Sequence, residues 1–385
     1  MLLTTLVACF TPEANSVIVT TVPFENPFTQ HPNLLLQPFT YDGLLCPDGN
    51  PATFYAVYQA DLTEPAPIVI VFHSGAFDYV EKGADGDVLD PADEDATHYA
   101  GENRLSAEWA SNKVFETLGI TQGEGESSEV NAGALPAALA DKGVFAIYPA
   151  NCWADLGRNE SGSTTSQSEW DGGVVRNGRF LNWAVTAIAS DEAITATTWK
   201  DNLGMSDLSV PLDSSGVYLI GLGEGGRAIS ELVGREVPGQ GLTPIKGIVV
   251  DSTMDNLEPL VTNNAQFKDI NDGLARMFPD SVDDDGDGVL VGDLNATQRD
   301  DIIANMRFNS LWSKYFRAGS LTVPLGVWYS SADPLVPTST LEGVLSFEGV
   351  AGWESMKSFD VGTATHVQTN TDIETARSAV EFILP

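Results

Sequence analysis

Basic side chains are scarce in this chain of 385 residues. Lys and Arg number 19 against 54 Asp and Glu, a formal net charge of −35 with an isoelectric point near 4.1. Such a surface repels a phosphate backbone, which excludes nucleic acid as a partner. Dense charge of one sign is tolerated where salt screens it, so the surface suits a salty medium. Three cysteines are too few for a disulfide-dense scaffold. Histidine is limited to His31, His73, His98 and His366, so any imidazole base has few candidates. No apolar run is long and uninterrupted enough for a transmembrane helix, and no internal repeat is visible. The 43% hydrophobic content is ample for a full core. The length fits one large α/β domain with insertions, or two domains.

The stretch that organises the rest is Val217-Tyr218-Leu219-Ile220-Gly221-Leu222-Gly223-Glu224-Gly225-Gly226. A β-prone run climbs into a glycine cluster, and a helical pattern (Ala228, Ile229, Leu232, Val233) leaves it. Two motifs share this geometry. Gly221-x-Gly223-x-x-Gly226 matches the dinucleotide-binding G-x-G-x-x-G, and Asp251 ends the next apolar run, where that motif wants an acid. Alternatively, Gly221-Leu222-Gly223-Glu224-Gly225 is the G-x-S-x-G frame of a nucleophile elbow, with Gly223 where the Ser belongs. The position past mid-chain, and the residues downstream, favour the elbow.

In chain order, Phe39–Gly43 and Phe54–Tyr58 flank the turn signal Pro47-Asp48-Gly49-Asn50 and predict a hairpin. A continuous apolar run predicts a buried parallel strand at 67–72, a second buried strand is predicted at 245–251, and further strands at 143–149, 324–329 and 356–361. Helical spacing marks 105–118, 134–141, 180–189 and 372–383. Strands alternating with helices imply a parallel sheet with right-handed crossovers. Residues 10–38 read as a tether and irregular arm, and 39–385 as the domain. Within it lie an acidic insertion at 77–135 and a cap insertion at 253–322.

Three further loops stand in order along the chain. His73-Ser74-Gly75-Ala76 follows the strand at 67–72, Ser331-Ala332-Asp333-Pro334-Leu335-Val336-Pro337 follows that at 324–329, and Gly362-Thr363-Ala364-Thr365-His366 follows the last strand. With the elbow, these resemble the α/β-hydrolase superfamily of esterases, lipases and peptidases over roughly residues 40–385. The resemblance implies an α/β-hydrolase fold: a mostly parallel central sheet flanked by helices, with a helical cap. It implies that Asp333 orients the general base His366, and that Ser74, Gly75 and Glu224 supply the oxyanion hole through backbone N–H groups. His73 is expected to order its loop rather than to catalyse. The nucleophile position alone is empty of chemistry, since Gly223 has no side chain to acylate. Ser252 and Ser74 stand as displaced alternatives.

The first residues, Met1-Leu2-Leu3-Thr4-Thr5-Leu6-Val7-Ala8-Cys9, resemble the signal segment (1–9) and lipobox of bacterial lipoproteins, which implies lipidation at Cys9. Export to the cell envelope or surface would follow, with the lipid as the only membrane attachment. Cys46 and Cys152 would then remain either as one disulfide or as two buried thiols. In the cap insertion, Asp283-Asp284-Asp285-Gly286-Asp287-Gly288 matches the first half of an EF-hand loop, with Val289 at the seventh position. Leu294 occupies the twelfth, so Asp293 is the candidate closing ligand for a structural Ca²⁺. A flexible acidic linker is the other reading. No cofactor is expected for catalysis.

The function expected is therefore a hydrolase-like protein, ester or peptide in chemistry, that keeps a ligand pocket but lacks serine-hydrolase activity. An active hydrolase using a displaced Ser or an activated water, and a surface adhesion or structural module, are the alternatives. The partner is an ester- or peptide-like small molecule, or a surface partner.

Overall fold

The computed structural model of the chain describes residues 28, 33–45, 50–73, 107–120, 133–150, 211–223, 225, 226, 229, 230, 245–253, 255, 323–333, 336, 338–362 and 367–384. Among them, eight strands form one sheet: β1 (Leu34–Leu45), β2 (Pro51–Gln59), β3 (Ala66–Phe72), β4 (Phe145–Pro149), β5 (Leu212–Leu222), β6 (Ile245–Asp251), β7 (Leu325–Tyr329) and β8 (Met356–Asp360). The helices are α1 (Ala107–Leu118), α2 (Ala134–Asp141), α3 (Glu342–Leu345), α4 (Gln368–Thr371) and α5 (Ile373–Ile383).

The strand order is β1-β2-β4-β3-β5-β6-β7-β8. β1 pairs antiparallel with β2, and β2 antiparallel with β4, while every later pairing is parallel. Only β2 therefore runs against the rest. This mostly parallel sheet with flanking helices is the α/β-hydrolase fold. The run Ala66–Phe72 and the stretch Gly247–Val250 within β6 lie in its centre, buried almost throughout, which is why they read as apolar sequence.

β4 lies on one side of β3 and β5 on the other. The connection leaving β3 thus moves one way along the sheet, and the one leaving β5 moves the other way. Right-handed crossovers going in opposite directions must cover opposite faces. The switch of direction falls at the carboxyl ends of β3 and β5, the kind of place where open α/β sheets in general bind ligands.

One face is closed by α1, α2 and α5. Phe115 of α1 meets Tyr55 of β2 edge-to-face at 5.0 Å, and Gln59 Nε2 donates to the Ala140 carbonyl of α2 at 2.7 Å. α5 begins at its cap Asp372, whose carboxylate accepts from Thr375 N–H (2.8 Å) and Oγ1 (2.7 Å). Ala376, Ala379, Val380 and Ile383 form its buried stripe. Gly247 lets α5 onto β6, since a Cβ there would stand 2.9 Å from Ile383 Cγ2.

The hairpin is present, but β1 begins at Leu34 rather than Phe39. Leu34 and Leu36 alternate into the core, and Phe28 is buried beside them. The arm drawn as 10–38 therefore belongs to the domain from Phe28 onward. Its Pro- and Asn-rich composition hides the period-two pattern. β5 also starts five residues earlier than the apolar run at Val217, after a bulge. The helix expected at 180–189 and residues 254 and 256–322 of the cap insertion lie outside the described residues, as do residues 77–106 and 121–132 of the acidic insertion.

Candidate active site

β5 ends at Leu222, and Gly223 takes the left-handed backbone with φ +52° before a helical turn at Gly225 and Gly226. A side chain there is strained, and nucleophile elbows hold such strain at this point. Neighbours pin the turn from both sides. Gly223 N–H donates to the Asp251 carbonyl at 2.8 Å, and its own carbonyl accepts from Thr253 Oγ1 at 2.6 Å and from Gly226 N–H at 3.1 Å.

The flanking glycines are set by contact. A Cβ on Gly221 would lie 2.5 Å from Gly226 Cα, one on Gly225 would lie 2.3 Å from the Phe72 carbonyl oxygen, and one on Gly226 would lie 2.0 Å from Thr253 Oγ1. The helix leaving β5 can press against β3 and β6 only because these positions lack side chains. The spacing of glycines thus records an elbow, whichever residue occupies its tip.

Asp333 lies in the loop after β7 and is buried. Its Oδ1 accepts from Val336 N–H at 3.1 Å, and its own N–H donates to the Ser330 carbonyl at 3.2 Å. One carboxylate oxygen therefore shapes the loop that follows β7. His73 follows β3 and is buried. Ser74, Gly75, Glu224 and His366 lie outside the described residues, as do Cys9, Cys46, Cys152 and the Ca²⁺ candidates Asp283, Asp285, Asp287, Val289 and Asp293.

The carboxyl end of β6 carries a polar group whose arrangement only the folded chain reveals. Asp251 is fully buried. Its Oδ2 accepts from both Thr369 N–H and Thr369 Oγ1 at 2.7 Å, and its Oδ1 accepts from Ser252 Oγ at 3.0 Å. Ser252 Oγ in turn accepts from Val367 N–H at 2.9 Å. Asp255 Oδ2 accepts from Val344 N–H of α3 at 2.6 Å.

Two sequence alternatives are corrected by these bonds. Asp251 cannot reach a ribose hydroxyl, because its oxygens are sealed inside and satisfied by Ser252 and Thr369, so the dinucleotide reading falls. Ser252 is 2% exposed and donates its one hydroxyl proton to Asp251, so it is not a displaced nucleophile. The sequence signal for this group was a polar Asp-Ser-Thr run directly after a buried strand, to which other roles had been assigned.

Farther along the same edge, Asp360 Oδ1 accepts from Ser331 N–H (2.9 Å) and Gly362 N–H (3.0 Å), tying the loops after β7 and β8 together. The Ser331 N–H bond is the main cause holding its carboxyl below the usual range.

Sheet topology and elbow together define an α/β-hydrolase-fold protein. No protein-family model matches the chain, and no curated protein matches it in sequence. Several solved structures are similar in shape at low identity. The rice cell wall degrading esterase LipA of Xanthomonas oryzae is 13% identical, with 91% of this chain and 90% of that one covered and a TM-score of 0.44. Esterase B of Lactobacillus rhamnosus is 12% identical, with 92% and 85% covered and a TM-score of 0.48. A puromycin-hydrolyzing peptidase of Mycobacterium tuberculosis is 14% identical, with 90% of this chain and 38% of that one covered and a TM-score of 0.41.

Proposed function

We propose that this protein derives from ester- or peptide-bond hydrolases and uses a crevice between β3 and β5 to bind an ester- or peptide-like small molecule without forming an acyl-enzyme. The observation that carries this is the elbow at Gly223. Its left-handed turn and its bonds to Asp251 and Thr253 are those of a nucleophile elbow, while its side chain is absent. A covalent route needs an attacking atom at that tip, and Ser252 does not supply one. On this reading Asp333 and His366 remain from the ancestral acid and base, and Ser74, Gly75 and Glu224 from the oxyanion hole.

The test is hydrolysis of short-chain p-nitrophenyl esters together with labelling by a fluorophosphonate probe. The natural chain is expected to be inert to both. Gly223→Ser is expected to gain both activities, and adding His366→Ala to it should lower kcat by roughly 10³- to 10⁴-fold, as for loss of a triad member. Competition of labelling by unreactive amide analogues then reports the ligand class. His366-dependent turnover by the natural chain would instead establish an active hydrolase working through water.

A further inference from the structure

The segment Asp251-Ser252-Thr253 touches both the elbow and the chain immediately after His366. Toward the elbow, the Asp251 carbonyl and Thr253 Oγ1 hold the N–H and the carbonyl of Gly223. Toward the other loop, the Asp251 carboxylate holds Thr369 through two donors, and Ser252 Oγ holds Val367 N–H. These partners lie 115 and 118 residues away in sequence.

Backbone strain marks the same place. Among the described residues, Ser252 (φ +51°) and Val367 (φ +50°) are the non-glycine residues in the left-handed region, and they are bonded to each other. A β-branched residue such as Val is a genuine outlier there. Strain of this kind persists only where surrounding bonds over-determine it, and it gathers at functional sites. If the segment only filled the core, an apolar strand end would serve without a buried carboxylate. If it only capped α4, the Asp251–Thr369 bonds would suffice and neither strained residue would be needed.

We propose that Asp251 and Ser252 are positioning residues: they hold the peptide that follows His366 in one register relative to the elbow at Gly223. The two Asp251 oxygens accept three donors from Ser252 and Thr369, so one carboxylate joins the strand end to the chain that follows residue 366. Charge-assisted bonds from a buried carboxylate are strong and directional, which suits the holding of a loop. Ser252 needs its hydroxyl for this, because it is the acceptor for Val367 N–H. The proposal rests on the hydrolase-derived reading of the site.

The experiment has two arms. In the natural chain, ¹⁵N shifts of the His366 ring report its tautomer and ordering without any turnover. Ser252→Gly removes the hydroxyl while accepting the left-handed backbone, and should broaden or average those signals in a chain that still folds, with a Tm lowered by the two buried bonds lost. Ser252→Asn keeps a side-chain acceptor oxygen and tolerates the left-handed backbone, and should restore them at least in part. In the Gly223→Ser background, Ser252→Gly should lower kcat roughly 10- to 100-fold with KM unchanged, the loss expected when a catalytic group is displaced by about an ångström. Should Ser252→Gly fail to fold, Thr369→Val, which removes one of the three donors to Asp251, takes its place, with a smaller change in the same direction expected. His366 signals and kcat that stay at parent values in a folded variant overturn the positioning role. Failure of Gly223→Ser to gain turnover would overturn the hydrolase-derived reading, and the ring signals would still decide the register.

Discussion

Strand β5 is irregular at both ends, and the two irregularities are built from opposite materials. At its amino end, Asp213 and Val217 pair with the successive β3 residues Pro67 and Ile68, so Ser214, Ser215 and Gly216 are extra. A charge cluster holds this bulge. Lys246 Nζ donates to Asp213 Oδ2 at 2.9 Å and also to Ser215 Oγ, and Ser215 Oγ donates to Asp213 Oδ1. Burial acts to raise the Asp213 carboxyl, but the bonds from Ser215 and Lys246 outweigh it and leave it below its usual range. At its carboxyl end, Gly223 carries no charge, and backbone groups together with the Thr253 hydroxyl do the holding, out of water.

Solvent decides what each arrangement is worth. Lys246 and Asp213 are 27% and 33% exposed, so water and salt compete with their attraction. The buried bonds at Gly223 have no such competitor, and leaving one unmade costs a full desolvation penalty. A left-handed turn that must stay in one place is therefore better held by buried neutral groups than by a surface ion pair. The turn proposed as the functional one sits at the end where the bonds are buried.

The restored hydrolase activity of Gly223→Ser is the largest effect expected, because it alone turns a structural elbow into a chemical one. Next comes Gly226→Ala. Its Cβ would fall 2.0 Å from Thr253 Oγ1 and 2.8 Å from Thr253 Cβ and Cγ2, so overpacking of about 3 kcal/mol is expected by urea unfolding. Combined with Thr253→Ala, which opens the space but breaks the bond to Gly223, the two losses should sum to more than the double variant shows. Strict additivity would mean that the contact does not set the turn.

At the other end of β5, a double-mutant cycle of Asp213→Ala and Lys246→Ala should give a coupling below about 1 kcal/mol that shrinks in molar salt. A larger, salt-insensitive coupling would erase the contrast between the two ends. The smallest effect belongs to Asp360, which is at the functional edge yet exposed. Its folded pKa lies below the unfolded one, so its contribution is present above about pH 4 and is lost as pH falls through the depressed value. Asp360→Asn should flatten that part of the Tm-against-pH curve by lowering Tm slightly near neutrality and leaving it unchanged at low pH, where the contribution is already lost.

Much of the fold was legible for one physical reason. Strands buried on both faces must be apolar throughout, so β3, β6 and β7 stood out within a residue of their true limits. Helical spacing marked α5 to within a residue, and the fold adds Asp372 as the cap that accepts an orphan N–H at its start. β1 was partly missed: only one of its faces is buried, and the signal lies in alternation that Gln37 and Pro38 interrupt. The short α4 was not foreseen either. Its four residues are stabilised by Asp251, far away in sequence, rather than by any local pattern.

The sequence by itself determined the elbow. Glycines at 221, 225 and 226 are demanded by contacts that no other residue tolerates, and such demands leave their mark in the residues themselves. It also determined that the turn residue, Gly223, has no side chain. The tertiary structure decided which polar residues work together. Ser252 could be read as a nucleophile and Asp251 as a ribose ligand until folding placed Val367 and Thr369 against them. A close approach restricts one residue at a time, so it is written locally. A hydrogen bond across 118 positions needs only a donor and an acceptor of common type, and the fold alone selects which of many candidates meet.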